Sequence, residues 1–294
     1  MNAFLQKAAA SLLGGVVGLN FRNRHFVSRH NHRREIGIAR DKVATKERLE
    51  PKGISVARTL GVIRRSRDIE RIYAQLVEMQ CGFVVKPARS AQGRGIILCR
   101  RATPEGVEKL SGAFIEKRVL LFHLHQIIHG EYSFGRPDDS ALVEELLVTD
   151  SNWIMRDLPG SPDLRIILFK NKVVMAMARL PTTLSEGRAN LHCGAVGVGV
   201  DIETGATAGG VQGNKIIDAH PDNGLPLAGN KVEDFDKCLQ SAYACAHAFK
   251  LGYIGIDLMR DREKGPVVLE VNSRPGLALQ IANRKGLLTQ LDFS

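Results

Sequence analysis

Across its 294 residues the chain has no apolar run long enough to span a bilayer, which takes about 20 consecutive apolar residues. A helical membrane span is therefore not expected. The stretch AAASLLGGVVGL after Lys7 has the apolarity of a signal core, but it is short, and arginine-rich chain without a convincing cleavage site follows it. A glycine-broken docking helix is the expectation there. Cysteine is sparse and scattered: Cys81, Cys99, Cys193, Cys238 and Cys245 show neither a disulfide framework nor a zinc spacing, which points to a reducing cytoplasm. His192 beside Cys193 does not make a nucleophile pair, because neighbours in a strand point to opposite faces. Aromatics make up only 5% of the residues, and beside the N-terminal arginines stand only Phe21 and Phe26. That interleaving is too thin for single-stranded nucleic acid, which is not expected as a partner. Internal repeats and low-complexity tracts are also missing.

What is present in excess is positive charge, +10 with a pI near 9.6. Arg22, Arg24, Arg29, Arg33, Arg34, Arg40, Lys42, Lys46, Arg48 and Lys52 meet few acids. Such a run suits nucleic acid, an anionic membrane surface, an acidic protein, or a site for a polyphosphate and an acidic substrate. For most of these side chains a solvated basic surface is expected. The hydrophobic share, 44%, supports a substantial core in one lobed domain or two domains.

Periodicity gives a mixed set of elements. Helices are expected over 41–50, stopped by Pro51-Lys52-Gly53, over 67–80, where Ile69, Ile72, Tyr73, Leu76 and Val77 have helical spacing, over 118–128 and over 235–251. Thr103 followed by Pro104 reads as an N-cap, so 104–110 is also expected to be helical. Strands are expected over 54–63, 81–87, 95–101 and 140–148, with a hairpin across Asn171. Strands and helices mix without regular βαβ alternation, so the fold class is expected to be α+β. Met175 and Met177 read as core packing. Trp153 lies in an expected loop, where it either caps a ligand or packs. His125 and His129 share a helix face with His123 nearby, but no further ligand makes a zinc site of them.

The most informative stretch is GIDLMRDREKGPVVLEVNSRPG, 255–276. YIGIDL and VVLEV are strand-like, and DREKGP between them cannot continue a ladder. Folding the hairpin between Glu263 and Lys264 sets Asp257 opposite Glu270, and alternation puts Asn272 on the face of Glu270. Three oxygen donors converge with no thiol or imidazole. Unpaired carboxylates in apolar strands are costly, so a hard cation such as magnesium is expected at Asp257, Glu270 and Asn272. A hairpin with a solvated acidic edge is the plainer alternative.

A second stretch, VVKPARSAQGRGI at 84–96, sets Lys86 on a strand before a flexible loop. Gly93 and Gly95 permit conformations that aim backbone N–H groups at an anion, and Ser90, Gln92 and Arg94 add donors. No Gly-Lys-Ser/Thr closes this loop and it is not G-x-G-x-x-G, which excludes the Walker and dinucleotide fingerprints. With the metal hairpin it suggests a nucleoside triphosphate.

Taken in order, NFRNRHFVSRHN, ARDKVATKERLEPKGISVARTLGVI, VVKPARSAQGRG, ALVEELL, SPDLRIILFKNKVVMAMARLPT, EGRANLHCGAVGVGVDIETG and GIDLMRD with LEVNSRPGLALQIAN resemble the ATP-grasp enzymes. They are close to the RimK-type alpha-L-glutamate ligases, and closest to a glutamate ligase-like branch related to the sugar-transfer-associated ATP-grasp proteins. The resemblance runs from about Gly18 to near the C-terminus. It implies an ATP-grasp fold, two α+β subdomains holding ATP between them, with a basic N-terminal region over 1–60, a small subdomain bearing the flap over 61–140 and a metal-binding subdomain over 141–294. It also implies ATP and Mg2+ (or Mn2+) as cofactors. Lys42 and Lys86 match the two ATP lysines, and Ser90 to Gly95 match the closing loop. Glu144, Glu145 and Leu146 match the hinge at adenine, which lacks the tyrosine common there. Asp163 matches the ribose acid, and Arg188 and Asn190 match residues at the triphosphate end. Asp257, Glu270 and Asn272 match the metal ligands.

The implied chemistry joins a carboxylate to an amine through an acyl phosphate, with an amino acid such as glutamate and an amine acceptor as partners. Arg165, Arg188 and Arg274 are the catalytic candidates, since a planar guanidinium suits carboxylate and phosphate. Two departures bear on the acceptor. About forty residues precede Lys42, too few for the independent domain found in RimK-type enzymes, and NSRPG places Arg274 where those ligases carry another residue. A phosphotransferase on the same scaffold, a non-enzymatic polyanion binder and a homo-oligomer stay open.

Overall fold

The computed structural model describes residues 14–90, 93–133, 138–149 and 152–291. The chain divides into two compact units, a larger one of residues 1–39, 48–55 and 148–294 and a smaller one of residues 40–47 and 56–147.

The larger unit opens with an arm. Leu19–Phe21 forms an α turn, Arg22–Val27 a π-helical turn, Ser28–His30 a second α turn and Arg33–Ala39 the helix α1. Arg22 and Val27, at the two ends of the π turn, are buried, while Arg24 within it and Arg29 in the turn that follows are exposed. Asn31 pins the arm: its Nδ2 donates to the carbonyls of Tyr253 (2.8 Å) and Ser273 (3.0 Å), and its Oδ1 accepts from the Tyr253 N–H (2.8 Å).

Helix α2, Lys42–Leu49, leads from the smaller unit back to the larger, and Gly53, at φ 69°, follows the short 3-10 turn Glu50–Lys52. The smaller unit then builds β1 (Thr59–Ile63), α3 (Ile69–Met79), β2 (Phe83–Pro87), β3 (Ile97–Thr103), β4 (Gly106–Lys109), β5 (Phe114–Glu116), α4 (Lys117–Ile128) and β6 (Ala141–Glu145). Its strands form one antiparallel sheet in the order β1-β6-β2-β3-β4-β5. The apolar stripe of α3 (Ile69, Ile72, Tyr73, Leu76) meets Leu120, Leu124 and Ile127 of α4 and Phe83, Val85 and Val107 of the sheet.

Two expectations fail here for tertiary reasons. Residues 104–110 are not helical: β4 pairs with β3 on one side and β5 on the other, Val107 standing opposite both Ala102 and Ile115. Two ladders and the complete burial of Val107 outweigh one local N-cap signal. Gly106 is part of this choice, since a Cβ there would lie 2.1 Å from the Ile115 carbonyl oxygen. The strand expected over 54–63 shrinks to 59–63 because the chain changes unit inside it: Ser55 accepts from the Val268 N–H (2.9 Å) in the larger unit, whereas β1 pairs with β6.

The remaining chain gives the larger unit β7 (Asp163–Phe169), β8 (Lys172–Leu180), β9 (Val196–Val200), β10 (Thr207–Gln212), β11 (Lys215–Ile217), α5 (Phe235–Ala248), β12 (Tyr253–Asp261), β13 (Gly265–Asn272) and the short α6 (Leu279–Ala282). These strands form an antiparallel sheet in the order β11-β10-β9-β8-β7-β12-β13. Helix α5 buries Cys238, Ala242, Cys245 and Ala246 and packs on β7, β12 and β13. A second apolar cluster joins Phe26 and Val27 of the arm to Ile167, Met175, Met177, Tyr253 and the C-terminal Leu287, Leu288 and Leu291. Trp153 is fully buried, its indole N–H donating to the Glu233 carbonyl at 2.9 Å, so it packs.

The β12–β13 hairpin reaches its register by an unexpected route. Asp261 accepts at Oδ1 from the N–H groups of Glu263 and Lys264, both at 3.0 Å, and Gly265 closes the turn at φ 71°. The turn is thus centred on Glu263. A bulge that leaves Leu269 without an opposite residue shifts the ladder back, and Asp257 still faces Glu270.

Candidate active site

Strand pairing assembles the charged cluster of the larger unit. Asp163 lies opposite Arg179, Arg165 opposite Asp257, and Asp257 opposite Glu270. Directly opposed residues share a face, as do residues two apart, so Asp163, Arg165, Arg179, Asp257, Glu270 and Asn272 all project from one side of the sheet. Asp257 is 2% exposed. Arg165 grips it from Nε (2.7 Å to Oδ1) and Nη2 (2.6 Å to Oδ2), and Arg179 Nη2 adds 2.9 Å to Oδ2. Burial opposes ionisation, but Arg165 and then Arg179 outweigh it and hold the Asp257 carboxyl at about 2. Burial lifts Asp163 to about 6 in spite of Arg179, with the charge of Asp257 adding to the rise. Arg179 keeps its proton against burial because Asp163 and Asp257 face it.

Asp163, expected at the ribose, has both oxygens engaged by Arg179, the Nε contact being 2.5 Å. Arg179 escaped the sequence reading, although folding β7 and β8 about Asn171 pairs it with Asp163 directly. Lys170 and Asn171 form that turn at φ 48° and 62°.

The donor set fits a hard cation. Asp257 Oδ1 accepts one hydrogen bond and Oδ2 two, which leaves acceptor capacity in a group with about four lone-pair sites. Asn272 Nδ2 is buried without a partner. Turned over, that amide presents its oxygen beside Glu270, an exchange the amide's shape permits. Among the described residues no group of three or more His, Cys, Asp or Glu could hold a metal, so a third donor beside Asp257 and Glu270 would have to be this amide.

The other expected residues of this unit are placed less centrally. Arg188 Nε donates to the Ser185 carbonyl (3.2 Å) and its Nη2 to Glu186 (3.1 Å). Asn190 Oδ1 accepts from the His192 N–H (3.0 Å), capping the 3-10 turn Leu191–Cys193. His192 and Cys193 are therefore neighbours in a 3-10 turn and not in a strand. Arg274 is exposed, and its carbonyl accepts from Arg22 Nη1 at 3.4 Å, as does that of Pro275 at 2.8 Å.

In the smaller unit a single carboxylate gathers two lysines. Glu144 on β6 is 4% exposed; its Oε1 accepts from Lys46 Nζ at 2.6 Å and its Oε2 meets Lys86 Nζ. Lys46 Nζ also donates to the Ala57 carbonyl. Burial works against the Glu144 anion, but Lys86 and Lys46 hold its carboxyl below the ordinary range. Lys46, four residues after Lys42 and so one helical turn on, stands with Lys86. Lys42 instead donates from Nζ to the Ser90 carbonyl (2.9 Å) and from its backbone to the Ala88 carbonyl (2.9 Å). Asp41 caps α2 through Val43 (3.0 Å) and Ala44 (3.2 Å) and accepts from Arg89 Nε (2.9 Å). Lys42 and Asp41 thus fix the corner from which the glycine-rich loop departs.

Gly93 and Gly95 adopt φ 71° and 74°, the left-handed region that suits glycine. A Cβ on Gly95 would lie 2.8 Å from Pro87 Cγ and 2.9 Å from the Tyr132 ring, and its carbonyl accepts from His123 Nε2 at 2.9 Å. His123 therefore serves the loop. Gln92 lies outside the described residues. In the hinge the N–H groups of Glu145 and Leu146 are already bonded, to Arg58 and Gly82 carbonyls at 3.0 Å each.

Comparison with known proteins agrees with this architecture. The chain is 28% identical over 244 residues to a probable alpha-L-glutamate ligase of Aeromonas salmonicida, an alignment covering 82% of this chain and 58% of that protein. A protein of the same description from Psychromonas ingrahamii is 26% identical, with 82% and 58% covered. The chain thus spans somewhat over half the length of these relatives. Among solved structures, the biotin carboxylase domain of the Hydrogenobacter thermophilus 2-oxoglutarate carboxylase matches in fold, with TM-score 0.51, 14% identity, and 98% of this chain and 55% of that chain covered. The family model described as sugar-transfer associated ATP-grasp matches residues 21–293, and the chain belongs to that family.

Proposed function

We propose that the protein is an ATP- and Mg2+-dependent carboxylate–amine ligase that forms an amide through an acyl phosphate, joining an amino acid such as glutamate to a peptide or small amine. The observation that carries this reading is the Asp257 carboxylate, buried under Arg165 and Arg179 and facing Glu270, with Asn272 two residues on along the same strand as Glu270. It is a preorganised set of charges of both signs, the kind of site that stabilises charge developing during phosphoryl transfer. The family and the names of the relatives support it.

In this reading Lys46 and Lys86 bind nucleotide phosphate, and Lys42 holds the loop corner at Ser90. The first hinge N–H past the two engaged ones, that of Leu147, meets the base together with the Glu145 carbonyl. Gly93 to Gly95 present backbone N–H groups to phosphate. Asp257, Glu270 and Asn272 would hold the cation, which supplies charge neutralisation at the triphosphate when bound. The substrate carboxylate attacks the γ-phosphorus, and ADP leaves. Arg165 and Arg179 orient the transferred phosphoryl group, with Asp163 fixing Arg179. The amine then attacks the acyl carbon and phosphate departs. Arg188 and Arg274 hold an acidic substrate group.

The test is an ADP-release screen over amino acids and amine acceptors, with mass spectrometry of the products. Amine-dependent ADP release with an amide product is expected. A stable phosphorylated product formed without any amine would replace the ligase by a phosphotransferase.

A further inference from the structure

The arm that opens the larger unit carries a surface that the ligase reading leaves unused. Its inward positions are occupied. Phe26 and Val27 lie in the core, and Arg22 and Asn31 bond to backbone of the larger unit. Glu35, the one acid from residue 14 to residue 40, is buried and paired with Arg48 at 2.6 Å. The arm's exposed positions include Arg24, Arg29, His32, Arg33 and Arg34. Arg24 lies in the π turn and Arg29 in the short α turn that follows it, and both are exposed. Arg33 and Arg34 begin α1, whose Glu35 and Ala39 turn inward. None of the four arginines has an acidic partner among the described residues. Just ahead of them Val16 and Leu19 are 57% and 60% exposed.

Four exposed cations close together in sequence, with no acidic partner among the described residues, present a positive field to an anionic surface. Nucleic acid would neutralise the arginines but offers nothing to Val16 and Leu19. The aromatics that would stack on its bases are turned away, Phe26 being buried and Phe21 half-buried. A bilayer with acidic headgroups answers both features, since each basic side chain near such a surface adds about fivefold in affinity and exposed aliphatics enter the interfacial layer. We propose that this arm docks the protein onto an anionic lipid surface, with Arg24, Arg29, Arg33 and Arg34 on the headgroups and Val16 and Leu19 in the interface. Docking of this kind needs no helix that crosses the membrane, and none among the described residues is long and apolar enough to do so.

Flotation of the full chain with phosphatidylcholine vesicles, alone or mixed with phosphatidylglycerol, decides the matter. Binding is expected only to the mixed vesicles, and it should weaken with salt. R24Q/R29Q/R33Q/R34Q should lose on the order of a hundredfold or more in affinity, and V16S/L19S several-fold with the salt dependence kept. Equal recovery with both vesicle types, no binding at low salt, or undiminished binding by a quadruple variant of unchanged Tm would overturn the proposal. So would tighter binding of a single-stranded oligonucleotide than of mixed vesicles, with V16S/L19S indifferent. If the quadruple variant does not fold, the lipid preference, the salt response and V16S/L19S decide alone.

Discussion

The two units each bury a cluster of charges, and the clusters differ in sign and in geometry. In the smaller unit two lysines share Glu144, which leaves one positive charge in excess. In the larger unit Arg165 and Arg179 balance Asp163 and Asp257, and Glu270 on the same face tips the set negative. Lysine is a compact point charge that an incoming anion can recruit, whereas the planar guanidinium locks a carboxylate by two parallel bonds. In the proposed reading one cluster draws phosphate and the other holds a cation. The same contrast governs how each responds to mutation.

The largest effect is expected from Asp257→Asn. It strips the shared partner from Arg165 and Arg179, so turnover should fall at least a thousandfold, and stability by about 3–5 kcal/mol as a buried pair is broken. Near-normal ADP release would remove Asp257 from the centre of the site. Asp163→Asn sharpens the comparison. If Asp163 serves Arg179, Tm falls and the KM ratio of ATP to 2′-deoxy-ATP is unchanged. A collapse of that ratio at unchanged Tm would restore the ribose role. Next come the lysines: Lys46→Ala should raise the KM for ATP by tenfold or more, and Lys42→Ala by less, because Lys42 is spent on Ser90. The reverse order would return the phosphate contact to Lys42.

The smallest effect is a pH dependence. Glu144 has a folded pKa below its ordinary value, so its stabilisation is present above about 4.5 and is lost as pH falls through the lower, folded value. Glu144→Gln should flatten the acid limb of a Tm-against-pH curve and lower Tm at neutral pH. An acid limb identical to that of the unmodified chain would show that the two lysines add no net stability.

Legibility followed interaction range. The stripe Ile69, Ile72, Tyr73, Leu76 announced α3, and the C-terminal hairpin announced its own pairing, because periodicity and β-branched runs are local. The pairing of Asp257 with Glu270 emerged correctly from a turn placed half a residue away, since the bulge at Leu269 absorbs the difference. The 104–110 segment misled because a cap is a local signal worth about 1 kcal/mol, while β4 draws its hydrogen bonds from neighbours on both sides. Lys46 was hidden for a related reason: a helix face is readable, but nothing in α2 reveals that it will meet Glu144.

The order of residues along the chain settled the α+β class, the family motifs and the oxygen-rich character of the C-terminal hairpin, because each is carried by neighbours within a strand, a turn or a short run. Which cation neutralises which anion was settled by folding. Lys46 came to stand beside Lys86 on Glu144, and Arg179 took both oxygens of Asp163. Those choices depend on strands brought side by side from distant parts of the chain, where burial makes every unpaired charge costly and the nearest opposite charge is the one that satisfies it.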